Sequence, residues 1–171
     1  MIKVKILSGV SGCGKSSYIS SLNGDYSVCS TDSFIQEYAK HLKMTYAQAY
    51  QDIQKNGMFS HATKKFYNDI ESCITNGIDF VVDRTNLSSE GRKSLIQNLR
   101  LVANNLNKEL YIETIYFDTD PKLIKQRLIQ REKETGKHIP DDVIHTQFNT
   151  FEPVKPEEGH DNLVIVNEKA V

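Results

Sequence analysis

Short apolar segments alternate along the chain with longer segments whose apolar residues recur every three or four positions. The segment 59–74 carries Phe66, Ile70 and Ile74 at spacings of four, which is the periodicity of one helical face. The segment 79–83 is instead an apolar run closed by an acid, a pattern typical of a buried strand. The whole pattern predicts strands over 4–7, 26–30, 79–83, 110–117 and 163–166, and helices over 15–22, 33–42, 46–54, 59–74, 88–106, 120–134 and 141–151.

This alternation of strands and helices predicts an α/β fold with a central parallel sheet and helices on both faces. No internal repeat and no linker rich in Pro, Gly or Ser divides the sequence, so we expect residues 1–171 to form one domain. In open sheets of this kind, ligands bind at the carboxyl ends of the strands. Polar residues that follow a predicted strand are therefore the first candidates for a functional site.

The first such segment is a glycine-rich turn between the strand 4–7 and the helix 15–22. Residues 9–16 fit the pattern G-x-x-x-x-G-K-[ST] without a gap. Glycines allow backbone N–H groups to turn toward phosphate oxygens, and the following helix directs its positive end at the same anion. The pattern predicts a triphosphate site in which Lys15 reaches the β- and γ-phosphates and Ser16 binds Mg²⁺. The residues expected to contact ATP here are Gly9, Ser11, Gly12, Cys13, Gly14, Lys15, Ser16 and Ser17.

Two carboxylates follow the next two predicted strands. Asp32 comes after the strand 26–30, where a carboxylate can orient an attacking hydroxyl and accept its proton; the alternative is that Asp32 or Thr31 caps the next helix. Asp83 ends the strand 79–83, as expected of a residue that holds Mg²⁺ directly or through water. For Asn86, in the polar turn that follows, helix capping is the structural alternative.

A basic segment late in the chain offers further candidates for contacts with phosphate. Arg127 and Arg131 are four residues apart on one predicted helix and therefore share a face. Arginines on a segment that closes over the phosphates neutralise the charge that develops during transfer. The alternatives are a solvated charged face for Arg131 and structural packing beside Leu128 for Arg127.

The overall composition excludes several classes of protein. With 21 basic and 22 acidic residues the net charge is −1, which argues against a protein that coats nucleic acid nonspecifically. Three scattered cysteines argue against a disulfide framework or a zinc site. We find no apolar run suited to a signal peptide or a membrane span. These features predict a cytoplasmic protein that does not bind membranes.

Taken together, these residues resemble those of the phage-type 5′-hydroxyl polynucleotide kinases and of the kinase domain of their animal counterparts, over nearly the whole chain. The phosphate loop is generic, and the more specific segments lie elsewhere. The resemblance implies a P-loop kinase fold with a helical lid at about 127–140. It rests on residues 9–16, 31–34 and 81–87, on Arg127 and Arg131, and on residues 138–140, 151–153 and 157–159.

By this resemblance, Asp32 matches the general base, and Arg131 matches the lid arginine that contacts the phosphates of ATP, with Arg127 beside it. Asp83 matches the acidic strand end, displaced by one residue relative to some members. The same segments imply that Asp32, Asp83, Thr85 and Asn86 contact the acceptor. One position departs from the family, because Ile35 stands where phage members carry an arginine that grips the phosphate of the substrate.

Three functions follow from these observations. The first is an ATP- and Mg²⁺-dependent kinase of a 5′-hydroxyl nucleic acid end, in which Lys15, Asp32 and Arg131 carry the reaction. The second is a P-loop kinase of a small molecule such as a nucleoside, a nucleotide or a sugar, which the isoleucine at position 35 favours. The third is a nucleotide-gated binding module without transfer activity, against which the intact set of Lys15, Ser16, Asp32 and Asp83 argues.

Overall fold

The computed structural model describes residues 1–169 and contains the predicted strands and helices, with ends that differ from the prediction by at most two residues. The strands are β1 (Ile2–Ser8), β2 (Ser27–Cys29), β3 (Phe80–Val82), β4 (Leu110–Thr119) and β5 (Asn162–Glu168). The helices are α1 (Lys15–Ser21), α2 (Thr31–Leu42), α3 (Tyr46–Lys55), α4 (Phe59–Asn76), α5 (Ser89–Asn105), α6 (Pro121–Thr135) and α7 (Asp141–Thr150), and a short 3₁₀ helix spans Pro156–Glu158.

The five strands form one parallel sheet in the order β2-β3-β1-β4-β5. The predicted α/β fold with a central parallel sheet is thus confirmed. The chain leaves β1 toward β2 on one side and leaves β4 toward β5 on the other. Since β1 and β4 are neighbours, their connections diverge and open a crevice at the carboxyl ends of the strands.

Alternation along the strands divides the apolar residues between two cores, one on each face of the sheet. On one face, Val4, Ile6 and Val82 pack with α4 and α5. On the other face, Leu7 and Val81 pack with residues of α1, α6 and α7. Helices therefore cover both faces of the sheet, as the pattern of strands and helices predicts.

A smaller apolar cluster joins α2 to α3 and lies apart from the sheet. It consists of Ile35, Ala39, Ala49 and Ile53, all buried, with Phe34 and Tyr46 packed against it. Ile35 is only 3% exposed. The position at which the sequence departs from the polynucleotide kinase pattern is thus a core position between two helices.

Local capping explains where the helices nearest the crevice begin and end. Ser30 caps α2, because its hydroxyl accepts a hydrogen bond from the Asp32 N–H at 3.1 Å. Asp120 caps α6, whose first residue is Pro121. Within residues 1–169, none of the helices has the length and apolar character needed to cross a membrane.

Candidate active site

The phosphate loop connects β1 to α1 in a backbone conformation that depends on glycine. Gly12 and Gly14 have φ angles of 83° and 109°, which side chains other than glycine rarely tolerate. A Cβ atom added at Gly12 would lie 3.1 Å from Cγ of Leu128 in α6. Glycine at these positions therefore lets the loop turn tightly under α6.

The backbone donors at the start of α1 have no oxygen partner in the protein. No side chain caps α1, and within residues 1–169 no oxygen atom accepts a hydrogen bond from the N–H groups of residues 14–17. Ser16 and Ser17 are exposed, so their hydroxyls face solvent as well. Unpaired N–H groups beside exposed hydroxyls form a surface suited to an anion.

Lys15 folds back over the loop that precedes it. Its Nζ atom donates to the carbonyl oxygens of Gly9 and Val10 at 2.8 and 2.9 Å and lies 3.6 Å from Sγ of Cys13. Burial raises the pKa of the Cys13 thiol, although the nearby Lys15 charge opposes that shift. Cys13 thus acts as a small buried filler, while the ammonium remains at the centre of the loop.

The turn after β3 anchors the end of β1, where the phosphate loop begins. Thr85 accepts a hydrogen bond from the Gly9 N–H at 2.9 Å. The Asn86 side chain donates to the Leu7 carbonyl at 2.7 Å, and its backbone carbonyl accepts from the Ser8 hydroxyl at 2.9 Å. Asn86 adopts a positive φ of 43° to do so. Its amide group therefore joins two strand ends, and Ser88 instead caps α5.

A buried ion pair between α5 and the 3₁₀ helix stabilises the turn after β3. The Arg92 guanidinium donates to both carboxylate oxygens of Glu158, at 2.7 and 2.8 Å, with both side chains fully buried. Arg92 also donates to the backbone carbonyls of Asn86 and Leu87, at 3.0 and 2.7 Å. The sequence contained a signal for this pair, because Glu158 lies in the 157–159 motif, but it did not indicate the partner.

The contacts of Glu158 keep its carboxyl group ionised. Burial by itself would raise the pKa of the carboxyl group, but hydrogen bonds from Arg92, from the Lys155 N–H and from Ser89, together with the Arg92 charge, hold the pKa below its usual value. Glu158 is therefore ionised in the folded protein and compensates the buried charge of Arg92.

Asp32 lies in the first turn of α2, and its carboxylate is not used for capping, since Ser30 fulfils that role. Its two oxygens accept hydrogen bonds from the Tyr46 hydroxyl and from Nζ of Lys137, each at 2.9 Å. The Lys137 ammonium also lies 4.0 Å from the centre of the Tyr46 ring. Burial, followed by the charge and hydrogen bond of Asp32, raises the pKa of the Tyr46 hydroxyl. Tyr46 therefore stays protonated and donates to Asp32.

Asp83 directly follows β3, between the ends of β2 and β1. Its backbone N–H donates to the Cys29 carbonyl at 2.9 Å. Burial raises the pKa of its carboxyl group; the charge of Asp32 adds to that shift, whereas the charges of Lys15 and Lys137 oppose it. Asp83 thus belongs to one cluster of ionisable groups at the ends of three neighbouring strands.

The charges of the two arginines of α6 act on different parts of the site. Arg127 forms an ion pair with Glu168 at the end of β5, with 2.6 Å between Nη1 and Oε2. The same Nη1 atom lies 3.4 Å from where a Cβ atom at Gly14 would be. The charge of Arg131, in contrast, acts on the Tyr46 hydroxyl, where it partly opposes the rise of the pKa that burial and Asp32 cause. Arg127 therefore lies against the phosphate loop, and Arg131 lies on the side of Asp32.

The sequence analysis did not predict the contacts that four residues make in the site: Tyr46, Lys137, Gln147 and Glu168. Oε1 of Gln147 in α7 accepts a hydrogen bond from the Ser11 N–H at 2.8 Å, so α7 holds the phosphate loop. Only Lys137 carried a sequence signal, because it lies in the segment 127–140 that the resemblance identifies as a lid. The others depend on contacts between elements distant in sequence.

A family model described as an AAA domain, AAA_33, matches residues 4–154. No curated protein matches the sequence. Among solved structures, a putative kinase from Chloroflexus aurantiacus aligns at 14% identity with a TM-score of 0.65, covering 97% of this chain and 85% of its own.

Two further structures share the fold at similarly low identity. A sugar kinase from Janibacter sp. aligns at 15% identity with a TM-score of 0.55, covering 98% of this chain and 86% of its own. A fungal RNA kinase aligns at 11% identity with a TM-score of 0.54, covering 96% of this chain and 74% of its own. At these identities the likeness establishes the fold alone.

Proposed function

From the premise that this chain belongs to the AAA_33 family of AAA domains, we propose that it is an ATP- and Mg²⁺-dependent kinase that phosphorylates the 5′-hydroxyl end of a polynucleotide. The observation that carries the proposal is the cluster of Lys15, Asp83 and Asp32 at the ends of the neighbouring strands β1, β3 and β2. It combines a cation for the phosphates, an oxygen ligand for a metal and a base for the acceptor.

The phosphate loop is suited to a triphosphate because the backbone donors at its helical end are free of oxygen partners. The N–H groups of residues 14–17 lack oxygen acceptors in the described part of the chain, and anions stabilise such groups. Lys15 exchanges the Gly9 and Val10 carbonyls for phosphate oxygens in this proposal. Arg127 lies against Gly14 and is proposed to bind the nucleotide.

The residues near the loop also fit Mg²⁺. Within residues 1–169, no three His, Cys, Asp or Glu side chains form a metal-holding group, and Mg²⁺ characteristically binds one or two protein oxygens together with phosphate oxygens and water. We propose that the Ser16 hydroxyl and the Asp83 carboxylate hold it. Bound there, Mg²⁺ would neutralise charge on the β- and γ-phosphates.

In the proposed reaction, Asp32 orients the acceptor hydroxyl and takes its proton. The hydroxyl oxygen forms a bond to the γ-phosphorus, the bond from that phosphorus to the β-phosphate oxygen breaks, and ADP leaves with the electron pair. Arg131, whose charge acts at Tyr46 beside Asp32, stabilises the transferring group. Thr85 and Asn86 hold the strand ends and shape the acceptor side.

The choice of a polynucleotide as acceptor rests on the resemblance of residues 81–87 to polynucleotide kinases and on the fold shared with the fungal RNA kinase. A small-molecule acceptor is the second candidate, favoured by the net charge of −1, by the apolar core position of Ile35 and by the fold shared with the sugar kinase. The ionisable cluster around Asp32 argues against a binding module without transfer activity.

The test is transfer of labelled γ-phosphate from ATP, offered separately to 5′-hydroxyl oligonucleotides, nucleosides and sugars. Label in the oligonucleotide supports the proposal. Label only in small acceptors selects the second candidate, and no transfer to any acceptor contradicts a kinase.

The role of Asp32 is tested with Asp32→Asn. We expect it to retain ATP binding by calorimetry but to lose about 10²–10⁴-fold in transfer rate, the contribution of a positioned base. The matched control is Asp25→Asn, an exposed aspartate, which should behave as the wild type. Full activity in Asp32→Asn would remove Asp32 from this role.

A further inference from the structure

Arg84 is a cation of the candidate site that no carboxylate neutralises. Lys137 is paired with Asp32 and Arg127 with Glu168, and Arg92 is buried against Glu158. Within residues 1–169, Arg84 has no carboxylate at ion-pair distance, and its guanidinium has no hydrogen-bond acceptor. A half-buried guanidinium without a partner retains several N–H donors for a ligand.

An aromatic ring fixes the position of this guanidinium. Its Cζ atom lies 5.0 Å from the centre of the Phe66 ring in α4, and Phe66 is fully buried in the core between α4 and the sheet. A guanidinium that stacks on an aromatic face keeps its N–H edge available for a planar or tetrahedral oxyanion. Because Phe66 does not move freely, the arginine loses little freedom when it binds a ligand.

The location of Arg84 assigns it to the acceptor rather than to the nucleotide. It follows Asp83 at the end of β3, which lies between β2, the strand before Asp32, and β1, the strand before the phosphate loop. Through Phe66 it lies on the face covered by α4 and α5. The lid arginines extend from α6, which packs on the opposite face.

The charges of the acceptor side create a need for such a cation. Asp32 and Asp83 both lie there, after the neighbouring strands β2 and β3, and Lys137 pairs with one oxygen of Asp32. An acceptor that carries its own phosphate would be repelled by the carboxylate charge that Lys137 does not offset. A fixed guanidinium beside them offsets this repulsion and binds the phosphate in a defined orientation.

We propose that Arg84 binds a phosphate group of the acceptor, close to the hydroxyl that Asp32 orients. This inference rests on the proposed kinase function and specifies its substrate class: a nucleotide unit with a free 5′-hydroxyl and a phosphate on its 3′ side, rather than an uncharged nucleoside or sugar. The same arginine would explain how an acceptor phosphate is bound although position 35 is a buried isoleucine.

The first test measures acceptor binding without ATP, by calorimetry with a nucleoside 3′-monophosphate, the unphosphorylated nucleoside and a sugar acid. The wild type should bind the phosphorylated nucleoside most tightly. Arg84→Gln should weaken that binding roughly 10- to 100-fold, as expected for the loss of a charge-assisted pair, and should leave nucleoside binding unchanged. Tighter binding of the sugar acid would identify a carboxylate acceptor and overturn the phosphate assignment.

The second test measures transfer with the same acceptors and keeps the two proposals apart. Arg84→Gln should lower kcat/KM for the phosphorylated acceptor roughly 10- to 100-fold without changing ATP affinity, and Arg84→Lys should recover part of the loss. The matched control is Lys108→Gln, which removes an exposed positive charge before β4, at the opposite end of the strands. Equal transfer by Arg84→Gln and wild type overturns this inference alone, whereas no transfer by the wild type to any acceptor overturns the kinase itself.

Discussion

Nζ of Lys137, in the loop after α6, lies 2.9 Å from Oδ2 of Asp32, which is 105 residues earlier in the chain. The contact covers one oxygen of the proposed base, while the Tyr46 hydroxyl occupies the other. An acceptor hydroxyl that donates to Oδ2 would therefore compete with the ammonium for that oxygen. The loop that contains Lys137 belongs to the segment expected to close over the nucleotide, so this ion pair links that segment to the acceptor side.

Lys137→Met should remove this competition. Asp32 and Lys137 remain 46% and 24% exposed, and pairs in such settings contribute about 0.2–1 kcal/mol. We therefore expect the acceptor KM to fall by roughly 1.5- to 5-fold, measured by steady-state transfer at saturating ATP. Lys137→Arg keeps the charge and should retain the wild-type KM. An unchanged KM in Lys137→Met would show that the acceptor does not compete with this lysine.

Asp83→Asn should stabilise the folded protein while impairing transfer. Burial raises the pKa of Asp83 above 3.8, so the folded state binds the proton more tightly than the unfolded state, and the charged carboxylate is unfavourable at neutral pH. At pH 7 the unfolding temperature should rise by about 2–4 °C, the shift that about 1 kcal/mol produces in a domain of this size.

The pH dependence of that difference identifies its cause. The advantage of Asp83→Asn should be fully present above the folded-state pKa and should disappear as the pH falls through that pKa toward 3.8, because wild-type Asp83 then takes up its proton. Thermal unfolding without nucleotide between pH 7 and pH 4 measures this, with Asp25→Asn as the exposed control. A variant that melts at or below the wild-type temperature at pH 7 would contradict it.

The sequence predicted the elements and the phosphate loop because both depend on local patterns. The helical stripe of Phe66, Ile70 and Ile74 determines one buried face, and the α/β alternation leaves few ways to arrange a parallel sheet. The glycines at positions 12 and 14 were equally informative, since their positive φ angles are a local requirement of the turn.

Contacts between distant elements were not predictable in this way. Nothing near Tyr46 in the sequence indicates that its hydroxyl donates to Asp32, and Gln147 reaches Ser11 across 136 positions. Contact of Asn86 with the acceptor stays a prediction, and the sequence did not indicate that its side chain donates to the Leu7 carbonyl. Ile35 stands where phage polynucleotide kinases carry an arginine, which suggested that a contact with the substrate phosphate is lost. A single sequence does not show that α2 turns this position toward α3.

Glu158→Gln should destabilise the fold strongly, since it leaves the Arg92 charge buried without a counter-ion. Breaking one partner of a buried pair costs about 3–5 kcal/mol, measured by urea unfolding at pH 7. Asp69→Asn breaks a half-buried pair with Lys65 four residues away on α4 and should cost only about 0.3–0.5 kcal/mol. Because Arg92 also holds the carbonyls of Asn86 and Leu87, ATP affinity should decrease as well.

Acid should reduce the difference between wild type and Glu158→Gln. The pKa of Glu158 is held below 4.5 in the folded state, so its stabilising contribution is present above pH 4.5 and is lost as the pH falls through the folded-state pKa. The free energies of unfolding of the two proteins should therefore converge below pH 4.5. A difference that stays constant down to acid pH would show that the charge of Glu158 is not what stabilises the fold.

Ile35→Arg should destabilise the protein and bring no gain in acceptor binding. Ile35 is 3% exposed and packs against Ala39, Ala49 and Ile53 between α2 and α3, so a guanidinium there must either remain desolvated or force the two helices apart. We expect a loss of about 2–4 kcal/mol by urea unfolding, whereas Gln36→Arg, at the next and exposed position of α2, should change stability by less than about 0.5 kcal/mol. A stable Ile35→Arg protein that binds a phosphorylated acceptor more tightly than the wild type would mean that position 35 faces the acceptor after all, and that the buried cluster of α2 and α3 rearranges when the acceptor binds.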